Sequence, residues 1–349
     1  MNTGIKKCFQ PETHRTFQSY PSTRYFPKSI FPTSTRTPKG GPPRCTIENR
    51  SMHPINPNNE YNHMTQQEGD RQQGYGLLKG KKGIIFGALD DRSIAWRIAL
   101  ACKREGADFV LSNAPIALRL GTLDALSEET NAPVFPCDVS DDADVEGLMK
   151  KTAAHLGGVD FVLHAIGMSP NIRKKKEYND INYNWYQQTL NISAVSLHRV
   201  LHFAEKTGVL NDRASVVALS YIGAQRIFSK YSDMNDAKAL LESIARNYGS
   251  RLAGRGIRVN TVSQAPTKTS AGTGIKGFDG MYTFAEKIAP LGNPSADECA
   301  DYCVTLFSDL TRKVTMQNLY HDGGFVTSGI SEEMIEDLAK LYSERESGE

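Results

Sequence analysis

From Leu77 onward the chain alternates short apolar runs with longer stretches of three-to-four spacing. "KKGIIFGA" is an apolar run closed by Gly, and "RSIAWRIALACKREGA" follows with helical spacing up to Gly106. "ADFVLS" reads as a second strand, with a helix over Leu118–Leu126 behind it. "APVFPCDVS" reads as a third strand, followed by a helix near Asp142–His155. "VDFVLHAIG" is a fourth, before a long helix around Asn184–Lys206. "ASVVALS" is a fifth, and the helix after it runs from about Tyr231 to Gly254. "IRVNTVSQAP" is a sixth, a helix falls in Ala296–Leu306, and "MQNLYHDGG" is a seventh strand. Strands that are apolar on both faces, each followed by a helix, predict an α/β fold: a Rossmann-type doubly wound parallel sheet of about seven strands with helices on both faces.

Residues 1–76 have a different texture. They are rich in Pro, Ser, Thr and Asn, and carry no apolar periodicity. Such a segment buries too little apolar surface to offset its chain entropy, so it is expected to be a disordered extension. Its basic, acid-poor first fifty residues fit an organelle transit peptide, a solvated tail, or a start codon assigned ahead of Met52 or Met64. The prolines rank the transit peptide behind the other two. The expected organisation is therefore the extension, one Rossmann-type domain over 77–330, and a C-terminal helix or tail over 331–349.

Composition narrows the class. Hydrophobic residues make up 39% and charged ones 23%, ordinary for an enzyme, and the net charge of +2 favours neither nucleic acid nor a membrane surface as partner. No window approaches the length of an apolar membrane span. The six cysteines form no CxxC pair, and Cys299 and Cys303, one helical turn apart, read as buried small side chains with no metal. His198 and His202 read as ordinary helix residues, and His321 as a turn or subunit-contact residue.

The candidate chemistry sits at strand ends, where open α/β sheets bind ligands. The first strand runs into Gly87 and the loop "GALDDRSIA", which lacks G-x-G-x-x-G but presents helix N-terminal amides and Ser93 to a pyrophosphate. A plain turn capped by Ser93 explains the same loop. Asp138, at the end of the third run, is placed to accept the adenine amino group or to cap the next helix. Ile166 and Gly167 end the fourth run and are small enough for a cofactor to lie against the backbone. After the second strand come Asn113, Ala114 and Pro115, with neither an acid for ribose hydroxyls nor an adjacent base for a 2′-phosphate. With Arg119 five residues beyond Ala114, NADH is favoured and NADPH is not excluded.

Tyr221, Tyr231 and Lys238 follow the fifth strand. Seven residues of helix turn by about 700° and rise about 10 Å, so Tyr231 and Lys238 are expected to share one helical face. The common short-chain reductase spacing is four. A spacing of seven moves the phenol one turn outward, toward a substrate whose carbonyl lies further from the nicotinamide, as in a conjugated enoyl thioester.

Residues from about Leu77 to Gly329 resemble the NADH-dependent bacterial enoyl-acyl-carrier-protein reductases of the short-chain dehydrogenase/reductase superfamily. "GALDDRSIA", "CDVSDDADV", "FVLHAIG", "LNISAVS", "LSYIGAQRIFSKYSDMNDAKALLE", "RGIRVNTVSQAPTKTSAGTGIKGF" and "HDGGF" carry the resemblance, in order. The resemblance implies that Tyr231 is the phenol that hydrogen-bonds the thioester oxygen. It gives Lys238 the nicotinamide ribose, and Tyr221 a supporting or proton-donor role. Gly87, Ser93 and Ile94 match pyrophosphate and ribose contacts, and Asp138 and Val139 adenine contacts. Ile166 and Gly167 match the backbone lining, and Thr267, Lys268, Thr269, Ser270 and Ala271 the loop on the nicotinamide amide and phosphates. Ser169, Met234, Phe278 and Met281, with Tyr221, match substrate contacts, the last two on a mobile lid.

The resemblance also implies acyl carrier protein as partner, a homotetramer packed through the two long helices, and a cytoplasmic setting. Four positions depart from the pattern: Ala265 where Gly is usual, Asn235 and Asp236 after the conserved Met234, and Trp96. Asp236 lies two residues from Lys238 and so on another face, not paired with it. A ketoacyl or carbonyl reductase of the same superfamily and a non-catalytic nucleotide-binding scaffold are the competing readings.

Overall fold

The computed structural model describes residues 74–119, 122–275 and 277–347. The expected disordered extension lies outside them up to residue 73. Six parallel strands, β1 (Lys82–Phe86), β2 (Asp108–Ser112), β3 (Val159–His164), β4 (Leu210–Ser220), β5 (Arg258–Gln264) and β6 (Asn318–His321), form one sheet in the order β2-β1-β3-β4-β5-β6.

Successive strand residues point to opposite faces. Ile84, Phe86, Val162 and Val216 pack on one face, against Leu148 of α4 (Asp142–Leu156), Val200 of α7 (Ser196–Thr207) and Leu241 of α8 (Met234–Leu252). Ile85, Phe161, Leu163 and Val217 pack on the other, against Ile98 and Cys102 of α1 (Ile94–Arg104) and Cys303 and Phe307 of α10 (Ala296–Phe307). Both faces are covered, which is why these strands read as unbroken apolar runs rather than alternations. The remaining helices are α2 (Pro115–Leu118), α3 (Leu123–Thr130), α5 (Pro170–Arg173), α6 (Tyr183–Leu190), α9 (Phe278–Ile288) and α11 (Glu332–Ser347).

The sequence predicts about seven strands; the sheet has six. The expected third strand is an extended segment on the outer edge of β2. It forms one parallel bridge, Leu111 to Val134, and three backbone hydrogen bonds: Leu111 to Pro133, Phe135 to Leu111, and Cys137 to Asn113. Pro133 and Pro136 have no N–H to give, so the segment suits a sheet edge and does not extend into a ladder. The long fourth-strand helix is also interrupted. A π turn over Asn191–Val195 separates α6 from α7 and aims Ser193 at the backbone of Met168, where its Oγ accepts from N at 2.9 Å and donates to O at 3.1 Å.

β1 lies between β2 and β3, so the chain's direction of winding reverses there, and the crevice opens at the carboxyl ends of β1 and β3. Gly87 holds that crevice together. It has φ +94°, and a Cβ on it would sit 2.1 Å from the Ala165 carbonyl oxygen. Gly87→Ala is therefore expected to cost about 2–3 kcal/mol, through strain plus forced separation of the two strand ends. Urea unfolding with an unchanged slope would measure it.

Candidate active site

The ends of β3, β4 and β5 and the start of α8 enclose a cavity of about 510 Å³. It brings together Ile94, Ile166, Gly167, Ser169, Tyr221, Tyr231, Met234 and Lys238. The segment after β5 contributes Thr267, Thr269, Ser270 and Ala271, and α9 contributes Phe278 and Met281. Five expected residues lie outside its lining: Gly87, Ser93, Asp138, Val139 and Lys268. Ser93 Oγ is occupied within its own loop, accepting from Leu89 N at 3.2 Å and donating to Asp90 O at 2.7 Å. Asp138 Oδ1 accepts from Ser140 N and Oγ at 2.9 and 2.6 Å. Val139 is buried, and the Lys268 ammonium rests 4.4 Å over the Tyr282 ring.

Tyr231 is not on the helix that carries Lys238. It ends a 3₁₀ turn, Ser229–Tyr231, and Ser232, with φ +44°, separates that turn from α8. The two-turn helical spacing expected from the sequence therefore does not apply. The two side chains reach one cavity from two elements.

Asp233 explains the break. It precedes the first residue of α8, is fully buried, and gathers groups distant in sequence. Its carboxylate accepts from Ser169 Oγ at 2.6 Å and from Asn171 Nδ2 at 2.8 Å, and Thr189 Oγ1 lies 2.9 Å away. These bonds, with the positive end of the α8 dipole, compensate a buried charge and tie the 169–171 wall of the cavity to α6 and α8. Ser169 Oγ is committed to this network and to the Ile172 amide, so it shapes the wall with its oxygen already in use. Asp233→Ala is expected to cost about 3 kcal/mol, because up to three buried donors lose their acceptor. The KM for the second substrate should rise more than that for the nucleotide. Denaturant titration and steady-state kinetics check both. Asp236, as expected, is turned away from Lys238: it accepts from the Tyr178 and Tyr186 hydroxyls at 3.0 and 3.1 Å.

Tyr221 stands edge-on to Tyr231, ring centroids 4.9 Å apart, and its hydroxyl faces Met281 Sδ at 3.3 Å. Ile222, Ile288 and Phe325 complete an apolar surround. Burial pushes both tyrosine pKa values above their ordinary 10, with Tyr231 as a second cause for Tyr221, so both phenols keep their protons at neutral pH. The Tyr231 hydroxyl has no hydrogen bond among the described residues. Lys238 Nζ donates to the Leu219 carbonyl at 2.7 Å, which leaves two of its three protons for the cavity. Burial lowers its pKa to about 8, with Glu242 pulling the other way. Glu242, one turn along α8, accepts from Ser220 Oγ and Gln225 Nε2 at 2.7 and 2.8 Å and so fixes the end of β4 against the helix.

Sequence reading did not find Asp233, nor Gln264 at the floor. Gln264 Oε1 pairs with His321 Nδ1 at 2.7 Å and its Nε2 donates to Thr267 Oγ1 at 3.1 Å, which anchors the Thr267–Ala271 segment to β6. His321 ends β6, stacked on Tyr302 with centroids 5.1 Å apart, and is not a turn residue. Among the described residues no cluster of His, Cys, Asp or Glu could hold a metal, and no helix is long and apolar enough to cross a membrane.

The sequence pattern of the family described as "Enoyl-(Acyl carrier protein) reductase" matches residues 87–326. The chain is 35% identical to "Enoyl-[acyl-carrier-protein] reductase [NADH] 1" of Rhizobium meliloti, covering 77% of this chain and 98% of that one. It is 32% identical to the NADH enoyl-acyl-carrier-protein reductase FabI of Bacillus cereus, covering 71% and 98%. Among solved structures it superimposes on the FabI–NADH complex of Alistipes finegoldii with TM-score 0.73 and 54% identity, over 74% of this chain and 92% of that one. With the parallel sheet, the crevice and the paired tyrosines in place, these likenesses decide the assignment: the chain belongs to the enoyl-acyl-carrier-protein reductase family.

Proposed function

We propose that this protein reduces trans-2-enoyl thioesters of an acyl carrier protein with NADH, and that Tyr231 and Lys238 carry the reaction. The observation that supports it best is their convergence, from separate elements, on one cavity at the carboxyl ends of the strands.

The residues present fit a nicotinamide dinucleotide. A Cβ on Gly167 would meet only Met234 Cε, at 3.9 Å, so a flat face lies open on the cavity. The buried Lys238 ammonium keeps two donors for a polar guest. Near the second strand's end, Asn113 is engaged with Ala88 O and its neighbour's amide. The NADH named for the relatives supports that nucleotide.

Bound NADH would supply the reducing equivalent to the β-carbon of the enoyl group. The chain's own work is to position and polarise. The Tyr231 hydroxyl, protonated and without a hydrogen bond among the described residues, donates to the thioester oxygen where negative charge builds. Tyr221 braces that ring edge-on. Lys238 holds ribose hydroxyls and adds positive potential in a site of low dielectric. Phe278, Met281 and Ile275 offer the acyl chain an apolar wall. The expected homotetramer and cytoplasmic setting belong to the same proposal, and sedimentation velocity with cell fractionation checks them.

The test is NADH oxidation by the full chain with a trans-2-enoyl thioester, run beside a β-ketoacyl thioester and beside NADPH. Turnover of the enoyl substrate with NADH is expected. Turnover of the ketone alone, or nucleotide binding with no turnover, would overturn the reading.

A further inference from the structure

We propose that the basic ridge Arg173–Lys174–Lys175, on the rim of the cavity, docks the carrier protein that delivers the thioester by pairing with acidic side chains on that partner; this rests on the function proposed above. Arg173 ends α5 and is both exposed and part of the cavity wall, next to Ile172. The ridge therefore begins at the mouth itself. Lys174 and Lys175 continue it, both exposed; Lys175 has φ +56°, and its N and that of Lys176 donate to Ile172 O and Asn171 O, which closes the turn on α5.

The local acids are spent elsewhere. Asp180 pairs with Lys176 at 2.7 Å, and Glu177 with Lys230 at 2.9 Å. Arg173, Lys174 and Lys175 have no carboxylate within ion-pair distance among the described residues. Three adjacent uncompensated cations form a local positive field on a chain whose net charge is only +2. Such a field steers an anionic partner and sets its orientation more than its residence time.

The same segment carries an anchor suited to a protein rather than to a phosphate alone. Tyr178 and Tyr183 are 53% and 76% exposed and lie five residues apart on the segment that follows the ridge. Exposed tyrosines beside uncompensated cations are the composition of a protein-docking patch. Asp233 holds the inner side of this segment rigidly, through Ser169 and Asn171, so the ridge is presented by a fixed wall.

The experiment is Lys174→Glu with Lys175→Glu in the full chain, assayed with one enoyl group on three carriers: N-acetylcysteamine, phosphopantetheine and acyl carrier protein. For the carrier protein, kcat/KM is expected to fall about 10–30-fold at low salt, and the gap between variant and parent to close as ionic strength rises past about 0.3 M. The other two thioesters, the KM for NADH and the oligomeric state should stay within twofold of the parent or unchanged. Tyr183→Ala should show the same carrier-protein-only loss, and less of the salt dependence. An equal loss with phosphopantetheine would assign the ridge to a phosphate and overturn the proposal. So would an equal loss with N-acetylcysteamine, a changed oligomer, or no loss with the carrier protein. A parent protein that reduces none of the three would instead sink the proposed function itself.

Discussion

Tyr231→Phe is expected to lower kcat for enoyl thioester reduction by about 10²–10³-fold, with the KM for NADH within twofold of the parent. The magnitude is that of deleting one donor aimed at a developing oxyanion, about 3–4 kcal/mol. Nothing structural should accompany it. The ring keeps its edge contact with Tyr221 and its place among Phe228, Met281 and Phe325, and the hydroxyl that is removed has no hydrogen bond among the described residues. Tyr221→Phe serves as the internal comparison. Its hydroxyl already faces Met281 Sδ at 3.3 Å, so its loss should cost less than about tenfold. Because burial raises both phenol pKa values, neither tyrosine should contribute a falling limb to the pH profile below about pH 10. Parent-like turnover by Tyr231→Phe, or a larger loss in Tyr221→Phe, would remove Tyr231 from the role given to it.

Local pattern carried the sheet and its two coats of helix into view, because a strand covered on both faces has to be apolar throughout, as "GIIF" and "FVLH" are. It misjudged the extended segment at Val134, where apolar content is right and two prolines withhold the donors a ladder needs. The crevice was legible without a glycine fingerprint, since position at strand ends, not motif, marks it. The Tyr–Lys pair was found for a reason that failed. Arithmetic on a helical face placed it, while the chain breaks at Ser232 and reaches the cavity by another route.

That break could not be read locally. Asp233 finds its partners 62 to 64 residues upstream, and Thr189 lies 44 away. Gln264 meets His321 across 57 residues. Contacts of that range follow from the order of strands in the sheet, and no short window contains them. The activity itself came from resemblance: a parallel sheet with a polar crevice hosts many chemistries.

Lys238→Met separates catalysis from stability more sharply than any other single change. It is expected to lower kcat/KM for NADH by about 10³-fold. The two ammonium protons not given to Leu219 O form hydrogen bonds of the charged kind with a guest, at about 1.5–3 kcal/mol each. Stability should move the other way. A pKa lowered from 10.5 to about 8 means that keeping the ammonium charged in its buried site costs about 3 kcal/mol at neutral pH. A methionine of similar length escapes that cost and gives up only the bond to the Leu219 carbonyl, so the variant should unfold about 1 kcal/mol later than the parent. The pH dependence follows with a fixed sign. Between about pH 8 and 10.5 the unfolded chain binds the extra proton, so the parent's stability gains on the variant's as pH rises through that window; the variant's lead of about 1 kcal/mol is cancelled at about pH 9 and the order reverses above it. Over the same rise the parent loses its cation, and kcat/KM for NADH, which reports the free enzyme, should fall from about pH 8 upward. Calorimetry across pH 7–10 and initial rates on the same samples read both curves. A variant that is inactive because it is less stable than the parent at pH 7 would show that Lys238 holds the fold rather than the nucleotide.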